Sequence, residues 1–409
     1  MPQWMTVTFL GTSSGGGPSE SRNCSSLILD IVGDGTLWMI DGAEGTLRQF
    51  SLQPSRDGGK SIRVSRVNKI FVTHMHADHV MGIPTLLRNI LGFPHPQDLS
   101  SRGTRPRINL YGPAGLRAFI RTTLSLTRTK TAERYAVHEL LTPNDSCTPC
   151  DIEVLHDSEE PGRDVLCDEE GFWRDFTEGM SNRGSVHVCA GPLVHRDPCV
   201  GYIFYEPSTF LESRKLAILG DTSSTALLTP LISSTPGRLS LLVHEATDAH
   251  IPANIDSRLA ARRSFEIVSS KVQERGHSTP IQAGICAGQW GARQLVLNHI
   301  GVKFPAPTPG SHTGRRAIMM GEIERQANEA WHSTPCEIPG VEVDPTEERK
   351  ALAAYDFMNV VVQVHIPAPA PTSLSVSAFQ ATGQSASESV DVPSVFNNVA
   401  RRKRRKKSL

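Results

Sequence analysis

The sequence lacks the long apolar runs and the leader segment that would place a chain in a membrane. No uninterrupted stretch of its 409 residues approaches the roughly 18 apolar residues that a membrane-spanning helix needs. The N-terminus has no basic region followed by an apolar stretch. Met5 to Leu10 instead has the pattern of a β-strand, which argues against a secretory signal. We therefore expect no membrane partner.

Cysteine is present, but it lacks the spacing of a disulfide framework. The eight cysteines are scattered along the chain, and without a secretory signal reduced thiols are the expectation. The close pair Cys147 and Cys150 has no partner pair of cysteines, so we do not expect a structural zinc site there.

Net charge is also absent, with 42 Lys+Arg against 42 Asp+Glu. A neutral chain argues at first against a nucleic-acid partner, which normally leaves a basic surplus. The average hides two unlike regions: residues 401–407 are all Arg or Lys, and the rest of the chain has 35 basic and 42 acidic residues, a balance of −7. The basic run predicts a signal for a nuclear import receptor or a nucleic-acid patch, with a merely solvated tail as the alternative. The expected location is the nucleus, the cytoplasm or both.

Composition divides the chain into one large domain and a tail. We predict a single catalytic domain over 1–366, with a strand-like run at Phe357 to Ile366 and helical spacing at Arg315 to His332. Residues 145–184 are polar and acidic without a clear period, which predicts an insertion or long loop. From Pro367 the composition is rich in Pro, Ala and Ser and cannot bury a core, so 367–409 is predicted to be a disordered tail.

Several short apolar runs end in a side chain that can bind a metal. The residues at these ends are His74, Asp221, the pair His244-Glu245, and His299. Short β-rich runs that each deliver a histidine or a carboxylate at the tip can assemble a metal site at the edge of a sheet.

The densest group of such residues is His74-Met75-His76-Ala77-Asp78-His79, which precedes the apolar, helix-like segment Val80 to Leu91. Residues two apart in an extended stretch point the same way, so His74 and His76 can share one metal. Asp78 and His79 lie where the chain turns into the helix and can face a second position. Because this is more than one zinc needs from a single segment, the motif predicts two metals that share further ligands. A polar loop that merely contains histidines is the alternative, and four ligand-type residues directly after a buried strand argue against it.

These motifs, in this order, resemble those of tRNase Z, the endoribonuclease that trims the 3′ end of tRNA precursors. The HxHxDH signature belongs to the whole metallo-β-lactamase superfamily, whereas other elements are specific to the tRNase Z branch. The matching segments are Phe9-Leu10-Gly11-Thr12-Ser13-Ser14, Arg22-Asn23, Asp41-Gly42-Ala43-Glu44-Gly45-Thr46, His195 with Gly201-Tyr202, Gly220-Asp221-Thr222, His244-Glu245-Ala246-Thr247, His277-Ser278-Thr279 and Leu297-Asn298-His299. The resemblance covers about residues 5–305 and implies an α/β fold, the four-layer αββα sandwich of the metallo-β-lactamases.

The resemblance also implies a zinc-dependent phosphodiesterase with two zinc ions per chain, in which a metal-bound hydroxide attacks the RNA. One zinc would be held by His74, His76 and His195, the other by Asp78, His79 and His299, and Asp221 would bridge them.

The same resemblance assigns roles beyond metal binding. Glu245 and His277 would protonate the leaving 3′ oxygen, and Asp78 would position the hydroxide, so these three are the expected catalytic residues. The expected substrate-binding residues are Arg22, Asn23 and Thr279.

Two histidines near these motifs have competing interpretations. His187 competes with His195 for the ligand role, and the Gly201-Tyr202 context favours His195. His244 is better suited to a supporting hydrogen bond than to metal binding.

The chain departs from the tRNase Z pattern in one respect that affects the substrate. Family members carry an arm that grips the tRNA elbow, inserted between the Gly-Tyr strand and the Gly-Asp-Thr strand. Here Tyr202 and Asp221 are only 19 positions apart, which leaves room for a hairpin and no arm. Precursor tRNA is therefore the leading substrate. A small-molecule hydrolase of the same fold, acting on a cyclic nucleotide, thioester or lactone, is the first alternative.

A non-catalytic nuclear interaction protein is the second alternative, and the complete set of seven ligands argues against it. Family members commonly dimerise, so a homodimer is also an expectation.

Overall fold

Two β-sheets lie at the centre of the molecule, which was obtained as a computed structural model describing residues 4–54, 61–94, 105–181, 184–207, 213–308 and 313–364. The first sheet has the order β18-β1-β3-β4-β5-β6-β7-β8, with β9 also paired to β7. Its strands are β1 (Trp4–Gly11), β3 (Ser26–Asp30), β4 (Leu37–Ile40), β5 (Val67–Phe71), β6 (Ile108–Pro113), β7 (Tyr135–Leu141), β8 (Glu159–Glu160), β9 (Asp164–Leu166) and β18 (Asn359–Gln363).

The second sheet has the order β10-β11-β12-β13-β14-β15-β17. Its strands are β10 (Trp173–Ser181), β11 (Gly184–Leu193), β12 (Cys199–Glu206), β13 (Arg214–Leu219), β14 (Leu241–Glu245), β15 (Leu295–Asn298) and β17 (Ala351–Ala353). The short strands β2 (Ser13–Ser14) and β16 (Ile300–Gly301) pair in parallel between segments from the two halves of the chain.

Helices cover the outer faces of both sheets. They are α1 (Thr46–Leu52), α2 (Ala77–Val80), α3 (Ile83–Ile90), α4 (Leu116–Leu126), α5 (Thr229–Ser234), α6 (Ala253–Ala260), α7 (Phe265–Glu274), α8 (Pro280–Gln289) and α9 (Arg315–Ser333). Three-residue 3₁₀ turns lie at Val64–Arg66, Ile152–Val154 and Ala226–Leu228. None of the helices within the described ranges has the length and apolar character needed to cross a membrane.

Three buried clusters explain why these elements stack in four layers. The central cluster joins inward-facing residues of both sheets, for example Phe71 on β5 and Phe204 on β12, whose rings lie 5.3 Å apart. A second cluster packs α3 and α4 against the first sheet, and a third packs α8 and α9 against the second sheet. The predicted αββα sandwich is therefore confirmed.

Local sequence patterns account for the elements that surround the site. Helix α3 buries Ile83, Leu86, Leu87 and Ile90, which recur at helical spacing and face the first sheet. Strand β12 is buried along its whole length, as expected for a strand in the interior of a sheet that is covered on both faces. The predicted helix at Arg315 to His332 is confirmed as α9, and the strand-like run at 357–366 contains β18.

The predicted insertion 145–184 contains more regular structure than its composition indicated. Strand β10 pairs with β11 at the edge of the second sheet, and its Trp173 and Phe176 are buried in the central cluster. The pairing register shifts between Trp173 and Thr177, and Asp175 between them has a φ of 44°. Because a bulge breaks the alternation of inward and outward residues, the strand has no period that the sequence could reveal. Of the two predicted alternatives, an insertion or a long loop, the long loop was wrong for this part. The predicted tail 367–409 lies outside the described residues.

Candidate metal centre

Four strands from the two sheets end at the same edge of the sandwich in residues that the sequence analysis singled out. Strand β5 leads into His74, β13 into Asp221 and β15 into His299. Strand β14 ends in His244-Glu245. Within the second sheet β14 runs parallel to both β13 and β15, so that their carboxyl ends meet at one edge. The pattern of strands that end in ligand-type residues thus corresponds to one place in the fold.

The seven predicted ligands divide into two groups joined by one aspartate. His74, His76, His195 and Asp221 form one group, and Asp78, His79 and His299 form the other, with the ligand atoms of each group within 4.8 Å of one another. Asp221 lies between the groups, because its Oδ2 is 3.5 Å from His74 Nε2 while its Oδ1 is 3.6 Å from His79 Nε2. The structure therefore brings all seven predicted residues together at one place in the fold.

Neighbouring groups fix the proton on two of these histidines. The carboxylate of Asp41 can only accept, so the Nδ1–H of His79 donates to it at 2.7 Å. The Nδ1–H of His195 likewise donates to the carbonyl of Gly276 at 2.6 Å. In the neutral form of each ring, the lone pair is then left on Nε2. The Nε2 of His195 is buried and has no hydrogen-bond partner among the described residues, as expected of an atom reserved for a metal.

The charges around the centre also suit a cation. Burial alone would lower the pKa of His79, but Asp221 and Asp41 outweigh that effect and raise the pKa to about 10. Burial would raise the pKa of Asp78, but its hydrogen bond to His299 and the nearby histidines hold the pKa well below its usual range. The Asp78 carboxylate is therefore ionised, and a metal ion that displaced the proton from a neighbouring histidine would neutralise its charge instead. The residues present fit a metal centre of histidine and carboxylate ligands.

Glu245 and His277 lie together beside the metal centre. Glu245 Oε1 accepts from the backbone N–H of Thr222 at 2.6 Å and lies 3.2 Å from His277 Nδ1. Burial would raise the pKa of Glu245, but the hydrogen bond and charge of His277, the charge of His299 and the hydrogen bond from Thr247 lower it to about 2. Burial would lower the pKa of His277, but the hydrogen bond and charge of Glu245 raise it. His277 therefore holds a proton more strongly than a free histidine, which suits a general acid.

The structure decides between the competing interpretations of His187 and of His244. His187 lies on β11, where its Nε2 is 2.6 Å from Ser185 Oγ and its ring stacks on Tyr205, away from the ligand groups. His244 is buried and its Nδ1 is 2.8 Å from the carbonyl of Glu245, in the supporting position that the sequence analysis favoured.

Tyr202 of the Gly-Tyr motif connects the second sheet to the segment that carries His74. Its hydroxyl donates to the carbonyl of Val72 at 2.6 Å, and the N–H of Val200 on the same strand donates to the carbonyl of Thr73 at 3.0 Å. These bonds tie the second sheet to the chain immediately before His74.

The three residues expected to contact substrate are all engaged within the protein. Arg22 is buried, and its guanidinium donates to Thr12 Oγ1 at 2.8 Å and to the carbonyl of Ala354 at 2.6 Å. Asn23 donates from Nδ2 to the carbonyl of Glu44, and Thr279 caps α8 in a capping box with Gln282. Arg22 in particular holds three chain segments together rather than presenting a charge to a substrate, because its donors face the interior.

Sequence reasoning missed two residues that orient the ligands. Asp41 follows the buried strand β4 directly, so the rule that located His74 and Asp221 also applies to it, and it was overlooked. Gly276 holds His195 through its backbone carbonyl, and a carbonyl carries no signal in the sequence.

The stacked sheets with a cluster of histidines and carboxylates at one edge define a metal-binding hydrolase of the metallo-β-lactamase fold. No protein-family model matches the chain. The chain is 30% identical over 360 residues to zinc phosphodiesterase ELAC protein 1 of Homo sapiens, covering 73% of this chain and 87% of the relative. It is 29% identical over 328 residues to ribonuclease BN of Proteus mirabilis, covering 75% and 92%.

Solved structures give the same result. The human tRNase Z short form, ELAC1, is 27% identical with a TM-score of 0.56, covering 87% of this chain and 99% of that one. A long-form RNase Z from yeast, 19% identical with a TM-score of 0.51, covers 88% of this chain and 42% of that one and shares the fold. The chain belongs to the ribonuclease Z family of zinc phosphodiesterases, which confirms the resemblance seen in its motifs.

Proposed function

We propose that this protein is an endoribonuclease that removes the 3′ trailer from precursor tRNA, with two zinc ions bound per chain. The observation that carries the proposal is the Glu245–His277 pair, which lies at the same edge of the sheets as both ligand groups. The relatives named ribonuclease Z and the structural similarity to human tRNase Z support the choice of RNA as substrate.

One zinc would be held by His74, His76 and His195, the second by Asp78, His79 and His299, with Asp221 shared between them. Zinc at these positions would lower the pKa of water and neutralise phosphate oxygens during hydrolysis.

Side chains of the protein would protonate the leaving oxygen and orient the attacking water. Because Nδ1 of His277 faces Glu245, the remaining N–H at Nε2 is free to protonate the oxygen that leaves phosphorus. In tRNA processing this oxygen is the 3′ oxygen of the mature tRNA. Asp78 accepts from the backbone N–H of Gly15 at 2.7 Å, which holds its carboxylate in place to orient the attacking water.

A small-molecule hydrolase of the same fold is the second candidate, and one observation favours it. Strand β12 ends at Glu206 and β13 begins at Arg214, so the connection has no room for an arm that would grip a tRNA elbow. The experiment is incubation of the zinc-loaded protein with a 3′-extended precursor tRNA and, in parallel, with bis-p-nitrophenyl phosphate.

We expect cleavage of both substrates and about two zinc ions per chain by metal analysis. Cleavage of the small ester without cleavage of the RNA would favour the second candidate. A folded protein that binds no metal would rule out both. The homodimer and the import receptor for 401–407 stay predictions.

A further inference from the structure

A cavity of about 230 Å³ shares His277 with the metal centre. Helix α7 supplies part of its wall, and the segment after β14 and the turn after β16 supply other parts. Four cationic side chains line it, and Asp248 is the one acidic residue in its lining. The cationic residues are Arg263, Lys271, Arg275 and Lys303.

The positive charge of this cavity is not cancelled locally. Asp248 is shared between Arg263, with which it forms an ion pair, and Lys303, whose Nζ lies 3.5 Å from its carboxylate. Lys271 and Arg275 are exposed and have no ion-pair partner in the part of the chain that the structure describes. The lining therefore carries a surplus of three positive charges, in a chain whose residues outside 401–407 have an acidic balance.

One donor in the cavity wall is also without a partner. The Nη1 of Arg263 is buried and makes no hydrogen bond within the described ranges. A buried guanidinium N–H without an acceptor is uncommon in folded proteins, and an internal water is its usual acceptor. The lysine and arginine side chains of the lining, three of them exposed, favour a phosphate group as the ligand of the cavity itself.

We infer that this cavity, defined by Arg263, Lys271, Arg275 and Lys303, binds an RNA phosphate on the leaving-group side of the scissile bond. The inference rests on the proposed function, in which His277 protonates the leaving 3′ oxygen. The nucleotide that carries this oxygen lies at His277, and its own 5′ phosphate is one sugar away along the strand. The cavity begins at His277 and thus receives that upstream phosphate.

The test uses a double variant that removes two exposed charges, Lys271→Gln with Arg275→Gln. The matched control is Arg105→Gln with Lys130→Gln, which removes two exposed charges distant in sequence from the cavity lining. For the cavity variant, we expect the ratio of kcat/KM on precursor tRNA to kcat/KM on bis-p-nitrophenyl phosphate to fall roughly tenfold or more. The dependence of log kcat/KM on log salt should flatten by about one. The control should keep the wild-type ratio and slope.

A chemically altered substrate identifies which phosphate is bound. A neutral methylphosphonate replaces the phosphate one nucleotide upstream of the cleavage site, or the one downstream. Wild-type protein should lose cleavage of the upstream-modified RNA by a factor similar to that of the cavity variant. The cavity variant should lose little more on the same RNA, because the contact is already absent.

The outcomes separate this inference from the proposed function. If the wild-type protein cleaves precursor tRNA and the cavity variant keeps the same ratio, the cavity does not bind the RNA. If the downstream modification alone reproduces the loss, the assignment to the leaving-group side is wrong. If the wild-type protein does not cleave the RNA at all, the proposed function itself fails.

Discussion

The two nitrogens of each histidine at the metal centre have different partners, and this difference determines what each ring can do. In His195 one nitrogen donates to the Gly276 carbonyl and the other is left for a metal. In His277 one nitrogen faces Glu245 and the other is free to give a proton away. The same residue type is thus suited to metal binding or to proton donation according to the group that its other nitrogen faces.

Replacing His277 with alanine tests its role as the acid. We expect kcat on precursor tRNA to fall roughly 10²–10⁴-fold while zinc content is unchanged. The loss on bis-p-nitrophenyl phosphate should be much smaller, because p-nitrophenolate leaves without protonation. If His277 is the acid, the rate of the wild-type enzyme should fall as pH rises through its raised pKa, and that alkaline limb should be absent from the variant.

Steady-state rates on both substrates and metal analysis check this prediction. Equal losses on the two substrates would show that His277 supports the site in some other way than as a proton donor. Loss of zinc would assign it to the metal instead.

At the scale of elements, the turn that follows α7 holds the metal centre through its backbone. Gly276 has a φ of 76°, which favours glycine, and a Cβ built on it would lie 2.8 Å from His195 Nδ1. The turn can therefore approach the ligand closely only because the residue has no side chain.

Substituting Gly276 with alanine should displace His195 and weaken zinc binding by roughly 10–100-fold. Gly340 offers a matched control because its φ is 74° and a Cβ there would meet nothing within 4 Å. Both substitutions carry a similar backbone cost of about 1–2 kcal/mol, so stability alone cannot produce a difference in affinity.

Zinc affinity measured by competition with a chelator distinguishes the two variants. We expect Gly340→Ala to bind zinc like the wild type. Identical affinities for both variants would show that the turn does not position His195.

At the scale of the whole molecule, the metal centre joins the two sheets. His74, His76, Asp78 and His79 follow a strand of the first sheet, whereas His195, Asp221 and His299 follow strands of the second. A metal bound by both sets favours the folded state over the unfolded chain, because only the folded chain brings them together.

Removal of the metal should therefore lower the melting temperature as well as abolish activity. Free zinc at 1,000 times its dissociation constant stabilises a folded protein by about 4 kcal/mol, so chelation should lower Tm by several degrees. Readdition of zinc should restore both properties. As a control, Asp221→Ala should show a low Tm that responds little to the chelator. A Tm unaffected by chelation in the wild-type protein would show that the metal does not link the sheets.

Over the whole molecule, a net charge of zero does not mean that positive and negative charges are evenly distributed. The zero balance combines the basic run 401–407 with an acidic remainder, and within that remainder the cavity beside His277 is basic. A charge count assigns no position to a residue. It therefore could not show that Lys271 and Lys303, 32 positions apart in the chain, line the same cavity.

The amino-acid sequence alone located the residues that the structure gathers at the candidate metal centre, and most of the strands that carry them. His74 to His79 lie within one segment, and Asp221 and His299 each follow an apolar run. These residues can therefore be recognised from their immediate neighbours in the sequence. The helix α9 was found in the same way, because helical spacing is a local property.

The partners of these residues follow only from tertiary packing. It placed Asp41 behind His79 and Gly276 behind His195, turned the guanidinium of Arg22 inward, and completed the second sheet with the bulged strand β10. These contacts join segments far apart in the chain. They form because the two sheets stack on one buried cluster, and no local pattern of residues records that packing.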